Sequence, residues 1–258
     1  METSIQSRSR GMAPRSPYAG IALGIVCPMA NEAATAIRFV DAVLTECEAY
    51  ELESVTLFVI LDTVSRDDTQ KLLEAHRAVQ PQLRVIWAPE TQGVADAYVR
   101  GYREAIAAGC DWILEIDGGF SHEPTDIGVF LEAMAGGNDC VFGSRFREGG
   151  ENLGTLRRRV ISRGGTALTN LLLGTKLTDM TSGFQLFTRD ALESVLANGI
   201  RSKGPFFQTE MKVQCRNLRV EEIPIHYNAG SHGVGRRAIT ESLVNLFKLF
   251  RRRLGGDL

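Results

Sequence analysis

The sequence predicts an α/β fold of Rossmann-like kind, and three observations predict it. Short apolar runs at residues 21–27, 55–61, 84–87 and 112–116 read as buried strands. The stretches between them carry apolar residues at helical spacing, and strands alternating with helices form a parallel sheet covered on both faces. Acidic residues, Glu32, Asp62 and Asp117, follow three of the strands, at the carboxyl edge where such sheets bind ligands.

The first run, IALGIVC, ends at Pro28, and a helix follows with Ile37, Val40, Val43, Leu44 and Cys47 on one stripe. The second, VTLFVIL, stops at Asp62 and a polar turn over 63–69. A helix through Leu72 and Leu73 leads to the third strand, and after Gly93 a long helix carries Ala95, Tyr98, Tyr102 and Ile106. The fourth strand, WILEI, runs into Asp117-Gly118-Gly119, whose glycines let the backbone turn sharply and approach a ligand. An aspartate there also suits plain turn capping. Further strands are expected at 139–143 and 220–225, with a short one after the turn at 179–184. A helix over 156–173 opens on Arg157-Arg158-Arg159, and another starts within 204–211. No repeat or linker divides the chain. One domain is expected over 20–240, after a disordered Ser/Arg/Pro-rich tail (1–19) and before a basic amphipathic helix (241–258).

Of the 258 residues, 44% are hydrophobic and 23% charged, a globular composition with ample material for a core. No apolar run reaches the roughly 18 residues of a membrane span, and the amino terminus lacks the apolar segment of a secretory signal. A cytoplasmic protein is expected, soluble or peripheral on the inner membrane face. Cys27, Cys47, Cys110, Cys140 and Cys215 are scattered without a C-x-x-C pair, which fits buried thiols better than disulfides or zinc. The net charge of -2 hides basic patches: seven Lys/Arg lie within 143–176 against Glu148 and Glu151, and six within 236–253 against Glu241. Such patches suit phosphate or a membrane surface, or are solvated helix faces. Nucleic acid is not expected, because the arginines lack interleaved aromatics to stack bases.

The sequence has no G-x-G-x-x-G after the first strand and no G-x-x-x-x-G-K-[ST]. Carboxylates repel a bare diphosphate, so they suit one when a divalent cation lies between. They also accept hydrogen bonds from a ribose hydroxyl or a base. Both properties point to a nucleotide-diphosphate site bridged by metal.

Several segments carry a more specific pattern. They are Pro28 with Asn31-Glu32; residues 61–69 (LDTVSRDDT); 117–124 (DGGFSHEP); Gly143-Ser144-Arg145-Phe146 with Gly149-Gly150; 158–164 (RRVISRG); 179–184 (DMTSGF); and 207–211 (FQTEM). In this order they resemble the inverting GT-A-fold glycosyltransferases of the polyprenyl-phosphate (dolichyl-phosphate) mannose or glucose synthase family. The resemblance implies a mixed, mainly parallel sheet flanked by helices, and sugar transfer from a nucleotide-diphospho-sugar to a polyprenyl phosphate. It implies donor contacts from Pro28, Glu32, Asp62, Asp117, Gly118 and Arg236, and Mg²⁺ or Mn²⁺ held by Asp117. It also implies phosphate or acceptor contacts from Arg145, Arg158, Arg159, Ser162, Arg163, Gln208 and Glu210. Asp117, Arg145 and Arg158 are the implied catalytic residues.

A lipid phosphate is already ionised and needs only to be neutralised and aimed. A hydroxyl acceptor, as in natural-product assembly, needs a base, for which Glu210 and Asp179 are candidates. Gly119 stands where the family has a second metal carboxylate, and Thr63-Val64 replaces its D-G. Asp117 with waters and phosphates, help from Ser121 or His122, and arginines without metal all remain open, as does a homologue that binds nucleotide sugar without turnover. In the last segment Leu243, Leu246, Phe247, Phe250 and Leu254 fall on one stripe, which suits an anionic membrane surface or packing against the domain.

Overall fold

A computed structural model describes residues 16–228 and 235–256, the side chains of Arg236 and Arg237 excepted. Nine strands and eight α-helices follow one another among these residues. In chain order they are β1 (Ala22–Pro28), α1 (Ala36–Glu48), β2 (Ser54–Leu61), α2 (Thr69–His76), β3 (Leu83–Trp87), α3 (Val94–Ala107) and β4 (Trp112–Glu115). Then come α4 (Ile127–Met134), β5 (Cys140–Ser144), β6 (Glu151–Asn152), α5 (Leu156–Leu173), β7 (Gln185–Thr188) and α6 (Arg189–Asn198). The last are α7 (Phe207–Gln214), β8 (Val220–Pro224), β9 (His226–Tyr227) and α8 (Arg236–Gly255).

The main sheet has seven strands in the order β3-β2-β1-β4-β7-β5-β8. Only β7 runs antiparallel, against both β4 and β5, so the sheet is mixed and mainly parallel as expected. Strands covered on both faces read as continuous apolar runs rather than alternating ones. In β1 the pleat sends Ile25 and Cys27 to one face, where α1 and α4 bring Phe39, Val40, Phe130 and Leu131. Val26 faces the other way, toward Tyr98 and Tyr102 of α3 and Phe207 and Met211 of α7. All five cysteines are buried and free.

Gly101 lets α3 lie close on the sheet, because a Cβ there would fall 2.3 Å from Val26 Cγ1 and 3.1 Å from Ile60 Cγ1. Gly101→Val is expected to cost ~1–3 kcal/mol of stability, the usual price of overfilling a packed core. Urea denaturation checks this, and an unchanged midpoint contradicts it.

The ends of the chain differ in part from expectation. Residues 1–15 lie outside the described residues; the segment just after them turns, and Tyr18 packs edge-on to Tyr50 at 5.0 Å. At the other end the helix begins at Arg236 and packs along α5. Its expected stripe divides. Leu246 is buried with Leu249, against Leu173, Phe206 and Val213, and Phe250 is partly buried there, whereas Leu243, Phe247 and Leu254 are exposed. At about 100° per residue Leu243, Phe247 and Leu254 fall within about 40° of one another, to one side of Leu246, Leu249 and Phe250, so the stripe is wider than the face that α8 buries.

Candidate active site

Because β2, β1 and β4 are parallel neighbours, their carboxyl ends share one edge of the sheet. Pro28, Asp62 and Asp117 arrive there together. The Asp62 carboxylate closes its own turn, accepting from Val64 N at 2.8 Å and Thr91 Oγ1 at 3.5 Å. Asp117 Oδ1 accepts from Tyr98 Oη at 2.7 Å, and the Asp117 side chain stays 38% exposed. Gly118 lies against Pro28 and Met29.

The loop after Asp117 is braced from the far end of the chain. Asp117 N donates to His122 Nδ1 at 3.3 Å, and the buried imidazole stacks on Phe184 at 5.0 Å. Burial pulls the His122 pKa down against the opposing charge of Asp117, which keeps the ring neutral. Asn228 N donates to Ser121 O at 2.9 Å. His226 donates through its backbone N to Asp126 at 2.6 Å, and its ring Nδ1 lies 2.8 Å from the same carboxylate.

Arg145 leaves the end of β5 and is almost wholly enclosed. Its Nε donates to Asp179 Oδ2 at 2.7 Å, and Nη2 donates to Asp179 Oδ1 at 2.9 Å and Thr181 Oγ1 at 2.6 Å. Nη1 donates to none of the described residues. The guanidinium carbon lies 5.1 Å from the Tyr227 ring centre and 5.5 Å from that of Phe146. Burial pushes the Asp179 carboxyl upward, but Arg145 and then Lys212 outweigh it and hold the pKa at about 2. Lys212, buried in α7, donates to Asp179 O at 2.8 Å, and burial brings its own pKa down to about 8.

A cavity of about 530 Å³ opens beside these groups. Asp117, His122, Arg145 and Tyr227 line it from the sheet edge, Arg158, Ser162 and Leu168 from α5, Gln208 from α7, and Leu243 and Leu246 from α8. Gln208 Nε2 donates to Glu115 Oε1 at 3.0 Å. Glu115 is buried beneath the floor and also accepts from Tyr102 Oη and from Gln185 Nε2 at 3.1 Å. Burial raises its pKa to about 8, against the lowering effect of the Tyr102 hydrogen bond.

Several expected site residues stand elsewhere. Glu210 is buried, and its carboxylate accepts from the backbone N of Arg201 and Ser202 at 2.9–3.2 Å, so it anchors the loop before α7 and is absent from the cavity lining. Asp179, the other candidate base, is fully occupied by Arg145. Arg159 and Arg163 lie on the exposed side of α5, where Arg163 covers the Phe146 ring at 4.9 Å. Helical spacing explains this: Arg158, Ser162 and Gly165 fall on the cavity side, one residue round from Arg159 and Arg163. The Arg236 side chain and residues 229–234 before it lie outside the described residues.

Tyr98, Tyr102 and Glu115 went unrecognised as polar groups in the sequence. The tyrosines fall on an apolar helical stripe and Glu115 inside an apolar strand, where a lone carboxylate was the available signal.

The mixed, mainly parallel sheet agrees with the comparisons to known proteins. Residues 24–196 match Glycosyl transferase family 2. The chain belongs to this family. The family 2 glycosyltransferase is 30% identical over 194 residues to the undecaprenyl-phosphate mannosyltransferase of Micrococcus luteus, covering 73% of this chain and 79% of that protein. It is 27% identical over 204 residues to the polyprenol monophosphomannose synthase of Mycolicibacterium smegmatis, covering 78% and 77% respectively. Among solved structures it resembles the glucosyl-3-phosphoglycerate synthase of Mycobacterium tuberculosis, crystallised with Mn²⁺, UDP and phosphoglyceric acid. That match has a TM-score of 0.68 at 18% identity, over 91% of this chain and 80% of that one, and shows the shared GT-A fold.

Proposed function

We propose that this glycosyltransferase moves a sugar from a nucleotide-diphospho-sugar to the phosphate of a polyprenyl phosphate, with inversion at the anomeric carbon. One observation carries the reading. A single cavity is lined by Asp117, Arg145 and Arg158 and also by Leu168, Leu243 and Leu246, which suits an amphiphile with an anionic head and a hydrocarbon tail. The relatives named for polyprenyl-phosphate chemistry support it.

In this reading an oxygen of the acceptor phosphate attacks C1 of the sugar as the bond from C1 to the donor diphosphate breaks. Negative charge passes from the acceptor to the leaving diphosphate, through an oxocarbenium-like transition state. Asp62 and Pro28 lie at the nucleoside end and Asp117 at the diphosphate. A bound Mg²⁺ or Mn²⁺ would neutralise that diphosphate as it leaves. Arg158 and Ser162 face the acceptor phosphate from α5. Arg145, clamped by Asp179, offers Nη1 without needing to reorganise. An ionised phosphate requires no base, which agrees with the loss of Asp179 and Glu210 as candidate bases to structural bonds.

Among the described residues no helix is long and apolar enough to cross a membrane. Exposed Leu156, Val160 and Leu171 on α5 and Leu243, Phe247 and Leu254 on α8 supply an apolar surface for peripheral contact with a bilayer. The test is a panel of nucleotide sugars offered with undecaprenyl phosphate, a short-chain analogue, the unphosphorylated polyprenol and a soluble hydroxyl acceptor. Transfer is expected only to the phosphates and better to the longer one, and Phe247→Asp should reduce flotation with anionic liposomes. Equal transfer to the hydroxyl acceptor contradicts the proposal.

A further inference from the structure

The resemblance implies two metal carboxylates two positions apart (D-x-D), of which Asp117 is the first and Gly119 lacks the second, but the space beside Gly119 is filled. Gly119 has φ +72°, and a Cβ built on it would fall 2.6 Å and 2.7 Å from the two carboxylate oxygens of Glu32 and 2.8 Å from their carbon. An aspartate at 119 and Glu32 in its present position therefore exclude one another. The Glu32 carboxylate stands over the very backbone from which the missing side chain would project.

Glu32 is held there from both sides. Its backbone N donates to Thr69 Oγ1 at 2.8 Å, and its Oε2 accepts from Thr35 Oγ1 at 2.6 Å. Its Oε1 accepts from none of the described residues. No three His, Cys, Asp or Glu side chains converge as a metal cluster among the described residues. Two carboxylates beside a diphosphate are enough, since Mg²⁺ commonly takes one or two carboxylates and completes its shell with phosphates and water.

We propose that Glu32 supplies the second carboxylate of the divalent-cation site, replacing in space the side chain that position 119 has lost. Asp117 is the first, and Glu32 faces the donor diphosphate rather than its nucleoside. The inference rests on the nucleotide-sugar reading above. It also explains how a chain with one D-x-D aspartate keeps two negative charges at that point.

The test is Mn²⁺ binding in the presence of UDP or GDP, read from the electron paramagnetic resonance signal of free Mn²⁺. Nucleotide affinity in EDTA and thermal melting serve as checks on the fold. Glu32→Gln and Asp117→Asn are each expected to weaken Mn²⁺ binding at least ~10-fold. Gly119→Asp alone is expected to leave Mn²⁺ affinity within about threefold of wild type, because the new carboxylate displaces the old one. Adding Gly119→Asp to Glu32→Gln is expected to recover the loss. Unchanged Mn²⁺ affinity in Glu32→Gln, or tenfold tightening by Gly119→Asp alone, overturns the proposal. Nucleotide binding without any Mn²⁺ uptake overturns it while leaving the donor reading intact, and absence of nucleotide binding removes both.

Discussion

Replacing Asp117 with asparagine is expected to lower kcat/KM for sugar transfer by about 10²–10³-fold, the usual loss when one group stabilising transition-state charge is removed. Asparagine keeps the shape and still accepts from Tyr98 Oη, so only the charge is lost. The carboxylate is part-exposed and borders the cavity, whereas Asp62 is buried and closes its own turn. The melting temperature is therefore expected to stay near the wild-type value. Steady-state kinetics at saturating Mg²⁺ check this, and a loss under tenfold contradicts a charge role at the diphosphate.

The largest effect on stability is expected from Asp179→Asn. Asp179 is wholly buried and bonded by Arg145 through two nitrogens, with Lys212 beside its backbone carbonyl. Removing one partner of a buried pair leaves the other charge uncompensated, at a cost of ~3–5 kcal/mol. The sign with pH follows from the depressed pKa. Held at about 2 in the folded state against 3.8 ordinarily, Asp179 stabilises fully above about pH 4. That contribution, on the order of 2 kcal/mol, is lost as pH falls from about 4 to about 2. Urea denaturation should give a lower stability for the variant at pH 7 and a shallower decline below pH 4 than for wild type. Equal stabilities at pH 7 contradict the assigned pairing.

Asp117→Asn and Asp179→Asn separate two kinds of acidic residue that look alike in sequence. The strand-end acids were legible, because an apolar run stopped by a carboxylate and glycine is a local pattern. The pairing of Asp179 with Arg145 was not, since 34 residues separate them and either could equally have faced a ligand. Glu210 misled for the same reason: a carboxylate one turn into a helix looks available until Arg201 and Ser202 turn their backbone N–H groups onto it. Among the arginines of α5, the sequence marked a basic helix start, but the orientation of Arg158 inward and Arg159 outward depends on how α5 meets α8. Helices α4 and α6 were not expected from the sequence, although α2 and α7, which are no longer, were. The reversed direction of β7 is likewise absent from its own four residues, being set by the long path through α5. Gly119 announced a loss, and only the folded chain brings Glu32, 87 positions earlier, onto it.

The central claim is that the sheet-edge acids and the α5–α8 cavity join a sugar to a lipid phosphate. Phosphorus magnetic resonance of the reaction of a nucleotide sugar with undecaprenyl phosphate tests this most directly. The account predicts that the phosphate monoester signal gives way to a glycosyl phosphodiester as nucleoside diphosphate accumulates. Release of nucleoside diphosphate with the monoester unchanged, or with sugar found on a hydroxyl group, would contradict it.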